Sequence, residues 1–243
     1  MTTSPAHFNS PARCIEYAMQ NAGLLEEGDT PNSEQVASNM NRLNDLIYFM
    51  QTSGLKLWLQ QDTTVPLTAS INSYSLGPSG SVTMTKPIRV NQGYYQNNSD
   101  PTNPVRMPLS VLSWNEWLTL STYLNTGPIT QFFVDKQQTQ LNVKFWLTPD
   151  ATTAANGDAH LLVQQQVTGV VSLADSMNFP PEWFIALYWG LASEICTGQS
   201  QEIVSRCEQK SMLYRNALED FDREDTSVYM KPDYRGQSFS RFR

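Results

Sequence analysis

The sequence holds two histidines, His7 and His160, and a histidine is the commonest general base in nucleophilic catalysis. His7 lies near the N-terminus, and His160 follows a polar segment at the edge of an expected strand. A Ser-His-Asp set would have to be assembled in space, because the sequence has no GxSxG, GxGxxG, P-loop or HExxH motif and no Cys/His cluster. We therefore expect no enzyme: the sequence predicts no catalytic residue, no metal ligand and no cofactor.

Paired carboxylates are the second chemistry to consider, because two Asp or Glu side chains can cleave a glycosidic bond. Three residues have some context for this role: Glu26, Glu27 and Glu116. Glu26 and Glu27 belong to a Glu-Glu-Gly-Asp segment that is typical of a solvated loop between helices. Glu116 fits the polar face of a short helix. The solvated interpretation is favoured for all three, and hydrolysis of a sugar polymer stays as an alternative.

The C-terminal segment 227–243, here called the arm, has a composition suited to binding. A solvated tail is normally poor in aromatic residues, whereas aromatic and arginine side chains are the usual anchors of protein interfaces. The arm interleaves the two kinds, and the predicted partner-binding residues are Tyr229, Lys231, Tyr234, Arg235, Phe239, Arg241, Phe242 and Arg243. Nucleic-acid binding is an alternative for such a segment, as is a disordered terminus.

Charge separates the arm from the rest of the chain. The net charge of the 243 residues is −7, and the arm alone has four basic residues and one acidic residue. The arm therefore carries +3 and the remaining chain −10. Because phosphate affinity depends on Lys and Arg, the acidic body argues against tight binding of nucleic acid. DNA could still pass nearby without being bound.

The cysteines and the hydropathy pattern indicate the cellular compartment in which the chain folds. Cys14, Cys196 and Cys207 are odd in number and form no CxxC pair, which suits a reducing cytosol better than a disulfide scaffold. The N-terminus has no apolar segment typical of a signal peptide, and no apolar run is long enough for a transmembrane helix. With 40% hydrophobic residues, the chain can build a substantial core.

Helical periodicity occurs at both ends of the sequence. Ser10 and Pro11 predict the start of a first helix, and Ser33 predicts the cap of a second. Two further helices are expected after Pro180 and over about 200–225. The apolar stripe of the second helix repeats at steps of three and four, and consists of Val36, Met40, Leu43, Ile47 and Met50.

The middle of the sequence is rich in β-forming residues. The segment 63–76 predicts two short strands around a turn at 70–73. Asparagine and proline predict a loop over 96–104, and a polar loop is expected over 151–158. Further strands are expected over 88–95, 131–134, 141–147 and 161–167.

A short helix is expected near 113–124, with Trp114 and Trp117 three residues apart on one face. Burial in the core is the favoured interpretation of these two residues, and a subunit interface is the alternative.

Together these elements predict an α+β fold. We expect a helical bundle of two N-terminal and two C-terminal helices, with an inserted β-rich region and an extended C-terminal arm. The expected domain boundaries are 1–62 for the N-terminal helices, 63–178 for the β-rich region, 179–226 for the C-terminal helices and 227–243 for the arm.

Short segments spread along residues 10–225 also resemble one known family, the head-to-tail adaptors or tail accessory factors of P22-like podoviruses. None is diagnostic alone, and the likeness lies in their order. The segments are GLLEEGDTP at 23–31, LNDLI at 43–47, GLKLW at 54–58, YSLG at 74–77 with Gly80, PIRV at 87–90, Gly127-Pro128, WLTP at 146–149, PPEW at 180–183 and LASE at 191–194. The loop at 91–104 departs from the family, and the arm matches it in position and character but not in sequence.

The resemblance implies a structural protein of the phage neck, made and assembled in the host cytoplasm. It implies a homo-oligomeric ring of twelve copies beneath the portal protein, with the arm reaching into the portal. The lower face would receive a tail nozzle or tube protein, and DNA would pass through the channel without specific binding and without a membrane contact. The tubular adaptors of T7-like phages share this role and remain an alternative branch.

Two other functions stay open. A peptidoglycan hydrolase acting in cell entry rests on family precedent and on the three glutamates named above. A DNA-binding packaging factor rests on the basic and aromatic arm.

Overall fold

The structure is a computed structural model that describes residues 10–52, 59–120, 125–167, 169–177 and 179–222. Six helices lie in these residues, and a single 3₁₀ turn at Pro181–Trp183 precedes the fifth. The helices are α1 (Pro11–Asn21), α2 (Ser33–Thr52), α3 (Trp114–Thr119), α4 (Ala151–Asn156), α5 (Phe184–Ile195) and α6 (Gln201–Phe221).

Helix starts were predicted at two positions, and the structure confirms one cap and corrects the other. α1 begins at Pro11 with Ser10 as its N-cap residue. At α2 the cap is Asn32 rather than Ser33: the Asn32 side chain accepts from the Gln35 backbone N–H at 2.8 Å, and the Gln35 side chain accepts from the Asn32 N–H at 3.0 Å. This reciprocal pair satisfies two backbone donors that the helix cannot satisfy itself.

Ten strands lie in the described residues, and eight of them form one sheet. The order across that sheet is β1-β10-β4-β5-β7-β8-β2-β3, and β6 pairs with β9 in a separate parallel pair. The strands are β1 (Gln60–Val65), β2 (Ser73–Gly77), β3 (Val82–Thr83), β4 (Arg89–Asn97), β5 (Val105–Leu112), β6 (Thr126–Gly127), β7 (Gln131–Lys136), β8 (Leu141–Trp146), β9 (Thr148–Pro149) and β10 (Gly157–Gln164).

The large sheet is curved into a nearly closed, barrel-like layer around its own core. One apolar cluster contains inward side chains from strands far apart in the sheet, such as Val163 of β10, Leu109 of β5, Phe132 of β7 and Leu76 of β2. A flat sheet could not bring these strands together, so the shared cluster requires curvature.

The predicted fold class, a helical bundle with an inserted β-rich region, is therefore wrong. The chain is a mixed α/β protein whose largest element is the eight-stranded sheet, accompanied by six helices. The physical reason is that eight of the ten strands between residues 60 and 164 pair into one continuous sheet with its own core. Long-range pairing such as Gln60 with Gln164 leaves no trace in local periodicity.

The two short strands expected around residues 70–73 are present as β1 and β2, but they do not pair with each other. β1 pairs with β10, whereas β2 pairs with β8 at the other side of the sheet. The turn between them is held by Tyr74, whose hydroxyl accepts from the Thr68 backbone N–H at 2.8 Å and donates to the Ile71 carbonyl at 3.1 Å. This folded connection directs β1 and β2 to different neighbours.

The helices at the two ends of the chain pack on one another through a second apolar cluster. Leu43 and Ile47 of α2 are buried there, as the stripe predicted, together with Leu187 and Leu191 of α5. α5 lies in the centre, because it contacts α1, α2 and α6. Its Gly190 lets Leu46 approach closely: a Cβ at this position would lie 2.9 Å from a Leu46 methyl carbon.

Buried glutamines join the helices to the sheet. Gln164, at the end of β10, has no solvent exposure, and its amide donates to the Gln51 carbonyl of α2 at 3.2 Å. Its side-chain oxygen accepts from Arg89 Nε at 2.6 Å. The Gln51 side chain in turn accepts from the Val167 backbone N–H at 2.8 Å. These bonds fix the end of α2 against the sheet, since buried polar groups are costly when left unpaired.

All three cysteines are buried as free thiols, and burial raises the pKa of the Cys14 thiol to about 12. Because the thiolate is the reactive form, the native protein should react with none of its three thiols at pH 8. Titration with a chromogenic disulfide should count zero thiols in buffer and three in denaturant. Rapid reaction of even one thiol in buffer would contradict this arrangement.

Candidate binding surfaces

His160 lies in a column of side chains on the outer face of the sheet rather than in a catalytic pocket. Its ring stacks on Tyr94 with 4.8 Å between centroids, and the Arg106 guanidinium lies over the same tyrosine at 4.9 Å. Asp62 accepts from the Tyr94 hydroxyl at 2.8 Å and lies 3.2 Å from His160 Nδ1. These four residues come from β1, β10, β4 and β5, so the column joins four successive strands.

The side chains of this column bind one another. Burial first, and then the Asp62 carboxylate, raise the pKa of Tyr94, so its hydroxyl stays protonated and can donate to that carboxylate. Both faces of the tyrosine ring are covered, by His160 and by Arg106, which leaves no aromatic platform for a ligand. His7, the other histidine, lies outside the described residues.

Glu116 is committed to capping α3. Its carboxylate accepts from the Ser113 backbone N–H at 2.7 Å, while the Ser113 hydroxyl accepts from the Glu116 N–H. These bonds with Ser113 lower the pKa of Glu116, so it is ionised and poorly suited to act as a general acid near neutral pH. Glu26 and Glu27 lie exposed in the connection between α1 and α2, in a different element of the fold.

This geometry makes a prediction for the hydrolase alternative. Zymograms of the full chain and of its Glu116→Gln, Glu26→Gln and Glu27→Gln variants on peptidoglycan should all look the same, without clearing. The reason is that the helix cap lowers the pKa of Glu116, while Glu26 and Glu27 lie exposed in a different element of the fold. Clearing by the parent chain that one of the three variants abolishes would contradict this expectation.

α3 and the end of β5 present exposed apolar side chains, here called the α3 ridge, which we define as Val111 of β5 with Trp114 and Leu118 of α3. No residue of α3 is buried: Trp114 is 55% exposed and Leu118 66%. Trp114 and Trp117 rest on Phe133 of β7, with centroids 5.0 and 5.5 Å away. The favoured prediction, that both tryptophans lie in the core, is therefore wrong: Trp114 is exposed and Trp117 is only half-buried. The aromatic contact holds α3 in place while its outer side stays open.

A second apolar surface lies on α2 and α6, where sequence reasoning did not place one. Phe49 is 55% exposed and Met212 64%. The Arg215 guanidinium lies 5.1 Å from the Phe49 ring centroid, so it links α6 to α2. The run Met212-Leu213-Tyr214 could have indicated this surface. Three consecutive apolar residues cannot all belong to one buried stripe of a helix, so at least one of them must lie exposed.

The arm and its eight predicted partner-binding residues lie outside the described residues. The structure describes the chain up to the end of α6, where Phe221 is 77% exposed. Within the described ranges, no group of three or more His, Cys, Asp or Glu residues could hold a metal ion. In the same ranges, none of the helices combines the length and apolarity needed to cross a membrane.

Comparison with known proteins adds no family to this description. No family model matches the chain, and no curated protein matches it.

Proposed function

We propose that this chain is a structural head-to-tail adaptor of a short-tailed phage. Its copies would form a ring under the portal, dock a tail nozzle or tube protein and surround the path of the DNA. The single observation that carries the proposal is the exposed α3 ridge, because exposed apolar patches mark surfaces that bind a partner.

The distribution of exposed apolar residues supports a ring in particular. A closed ring needs a heterologous interface, in which one patch on a subunit meets a different patch on its neighbour. The α3 ridge and the surface around Phe49 and Met212 lie on different elements of the fold. Each could cover part of the roughly 1,000 Å² that a specific interface buries.

Charge supports the role of a DNA conduit. The chain outside the arm carries −10, so its surface repels phosphate instead of binding it. A channel that DNA must leave quickly benefits from such repulsion. The positive arm is suited to an acidic or polar groove on a partner such as the portal.

The ridge makes the proposal testable. Leu118→Ser should leave the fold intact because Leu118 is exposed, and Trp114→Ser should do so because Trp117 still stacks on Phe133 and holds α3. We expect each variant to reduce ring assembly on portal by about 10–100-fold in affinity, since truncated hot-spot residues typically cost that much. Electron microscopy of portal mixed with each variant measures the decoration.

Asn115→Ser is the matched control, because Asn115 is exposed on the same helix but outside the ridge. It should decorate portal as the parent chain does. If both ridge variants decorated portal as well as the control, the ridge would be no part of the interface and the observation behind the proposal would lose its force.

A further inference from the structure

The surface between α2, α5 and α6 contains two neighbouring cavities, here called the α5 groove. One has a volume of about 220 Å³ and is lined by Asp45, Leu46, Phe49 and Glu194, among others. The other, of about 330 Å³, is lined in part by Glu208, Met212 and Arg215. Arg215 over Phe49 forms the boundary between them.

The groove combines exposed apolar side chains with unused carboxylates. Phe49 and Met212 supply the apolar surface. The carboxylates of Asp45, Glu194 and Glu208 make no hydrogen bond or ion pair with any other part of the chain that the structure describes. An occupant that alternates aromatic and basic residues would match this lining, whereas a nucleic acid would be repelled by the carboxylates.

The arm of this chain has that composition. It carries +3 and four aromatic residues, with Tyr234-Arg235 and Arg241-Phe242-Arg243 as direct alternations. The acidic remainder of the chain makes the attraction favourable over the whole body as well as in the groove.

The arm also starts beside the groove. α6 ends at Phe221, and Glu219 lines the larger cavity. Returning from Asp222 along α6 requires about 15 Å to reach Met212 and about 21 Å to reach Glu208, at ~1.5 Å per residue. Residues 222–226 alone can span about 17 Å when extended, at ~3.4 Å per residue. The arm therefore begins within reach, and a short tether gives it an effective concentration on the order of millimolar.

We propose that residues 227–243 lie in the α5 groove of their own chain, with aromatic side chains on Phe49 and Met212 and basic side chains on the three carboxylates. The regulatory consequence rests on the proposed function: the adaptor would carry its portal-binding arm covered until the portal displaces it, and displacement would free Phe49 and Met212 for the neighbouring subunit of the ring. Covering the arm reduces its apparent affinity for any partner to the intrinsic affinity multiplied by the fraction of time that the arm is free of the groove.

Crosslinking in the full chain tests this without any portal. Ser211→Cys places a thiol in the larger cavity, and Ser238→Cys places one in the arm, while the three native thiols are buried. A short bismaleimide should join the pair within one chain, at least ~10-fold faster than it joins Ser238→Cys to Ser99→Cys, an exposed position beside β4. Adding Glu208→Lys or high salt should remove this advantage.

Three results would overturn the proposal. Equal rates at Ser211 and Ser99 would mean that the arm does not occupy the groove. Crosslinks from Ser211 that appear only in dimers would assign the groove to the arm of a second copy. A faster crosslinking rate at Ser211 that neither high salt nor Glu208→Lys reduces would mean that charge attraction does not hold the arm in the groove. Asn216→Cys, one turn farther along α6 in the same cavity, repeats the test in case Ser211→Cys perturbs the lining. Each failure leaves portal attachment, and so the proposed function, untouched.

Discussion

A chain that ends at residue 226 should fold as the full-length protein does and lose its attachment to portal. The arm holds eight of the aromatic and basic residues that the sequence offers as anchors, and interface anchors of this kind carry most of the binding free energy. We expect at least a ~100-fold loss of affinity, equivalent to about 2.7 kcal/mol. Sedimentation with portal measures the attachment, and circular dichroism measures the melting temperature of the truncated chain.

Two full-length variants separate the contributions of the arm. In one, Lys231, Arg235, Arg241 and Arg243 become Gln; in the other, Tyr229, Tyr234, Phe239 and Phe242 become Ser. Loss of the charges should mainly slow association and weaken its salt dependence, whereas loss of the aromatics should mainly speed dissociation. DNA-filled, tail-competent particles assembled from the truncated chain would refute the role of the arm.

Gln164→Leu should lower the free energy of unfolding by about 3 kcal/mol, which corresponds to a fall of roughly 6–12 °C in melting temperature. The side chain has no solvent exposure and connects Arg89 of β4 to the Gln51 carbonyl of α2. Leucine fills similar space but can neither donate to that carbonyl nor accept from Arg89. Urea unfolding should show a lower midpoint with an unchanged slope.

Gln166→Leu is the matched control, because Gln166 is an exposed glutamine two residues further along the chain. Surface substitutions of this kind usually change stability by less than ~0.5 kcal/mol. If Gln164→Leu were no more destabilising than Gln166→Leu, the glutamine junction would contribute nothing to holding the helices on the sheet.

Elements with a clear local signal were predictable. The α2 stripe of Met40, Leu43, Ile47 and Met50 is buried as its period requires, and α1 begins at Pro11. Four of the predicted strands correspond to β4, β7, β8 and β10. In these segments the side chains that repeat in sequence are the ones that face a core, so period and burial agree.

Elements that depend on distant partners were not predictable. β5 was missed because Pro108 interrupts it, and proline argues against a central strand. It is tolerated here because β5 changes neighbours, pairing with β4 up to Leu109 and with β7 from Ser110. The polar segment after Asp150 forms α4 instead of a loop, capped by the Asp150 side chain.

The candidate surfaces also divide into one that the local sequence indicates and one that only the fold brings together. Composition alone marks the arm as a binding segment. Composition cannot mark the α5 groove, because Asp45, Glu194 and Glu208 come from three helices that meet only in the fold. The burial of Trp114 was predicted wrongly for a related reason. Helical spacing shows which residues share a face of α3, but the position of Phe133 in the fold decides how far that face is covered.

The pairing of β1 with β10 has a mechanical consequence. Both connections to the helices leave the sheet at the same end of this pair, where Gln60 lies opposite Gln164. A force that draws the helices away from the sheet therefore pulls the two strands lengthwise as one ribbon. Among the described strands, β10 is held on its other side by β4 through pairs from Gly157–Asn97 to Gln164–Arg89. Such a pull loads this ladder in shear, so its bonds must fail together instead of unzipping one by one.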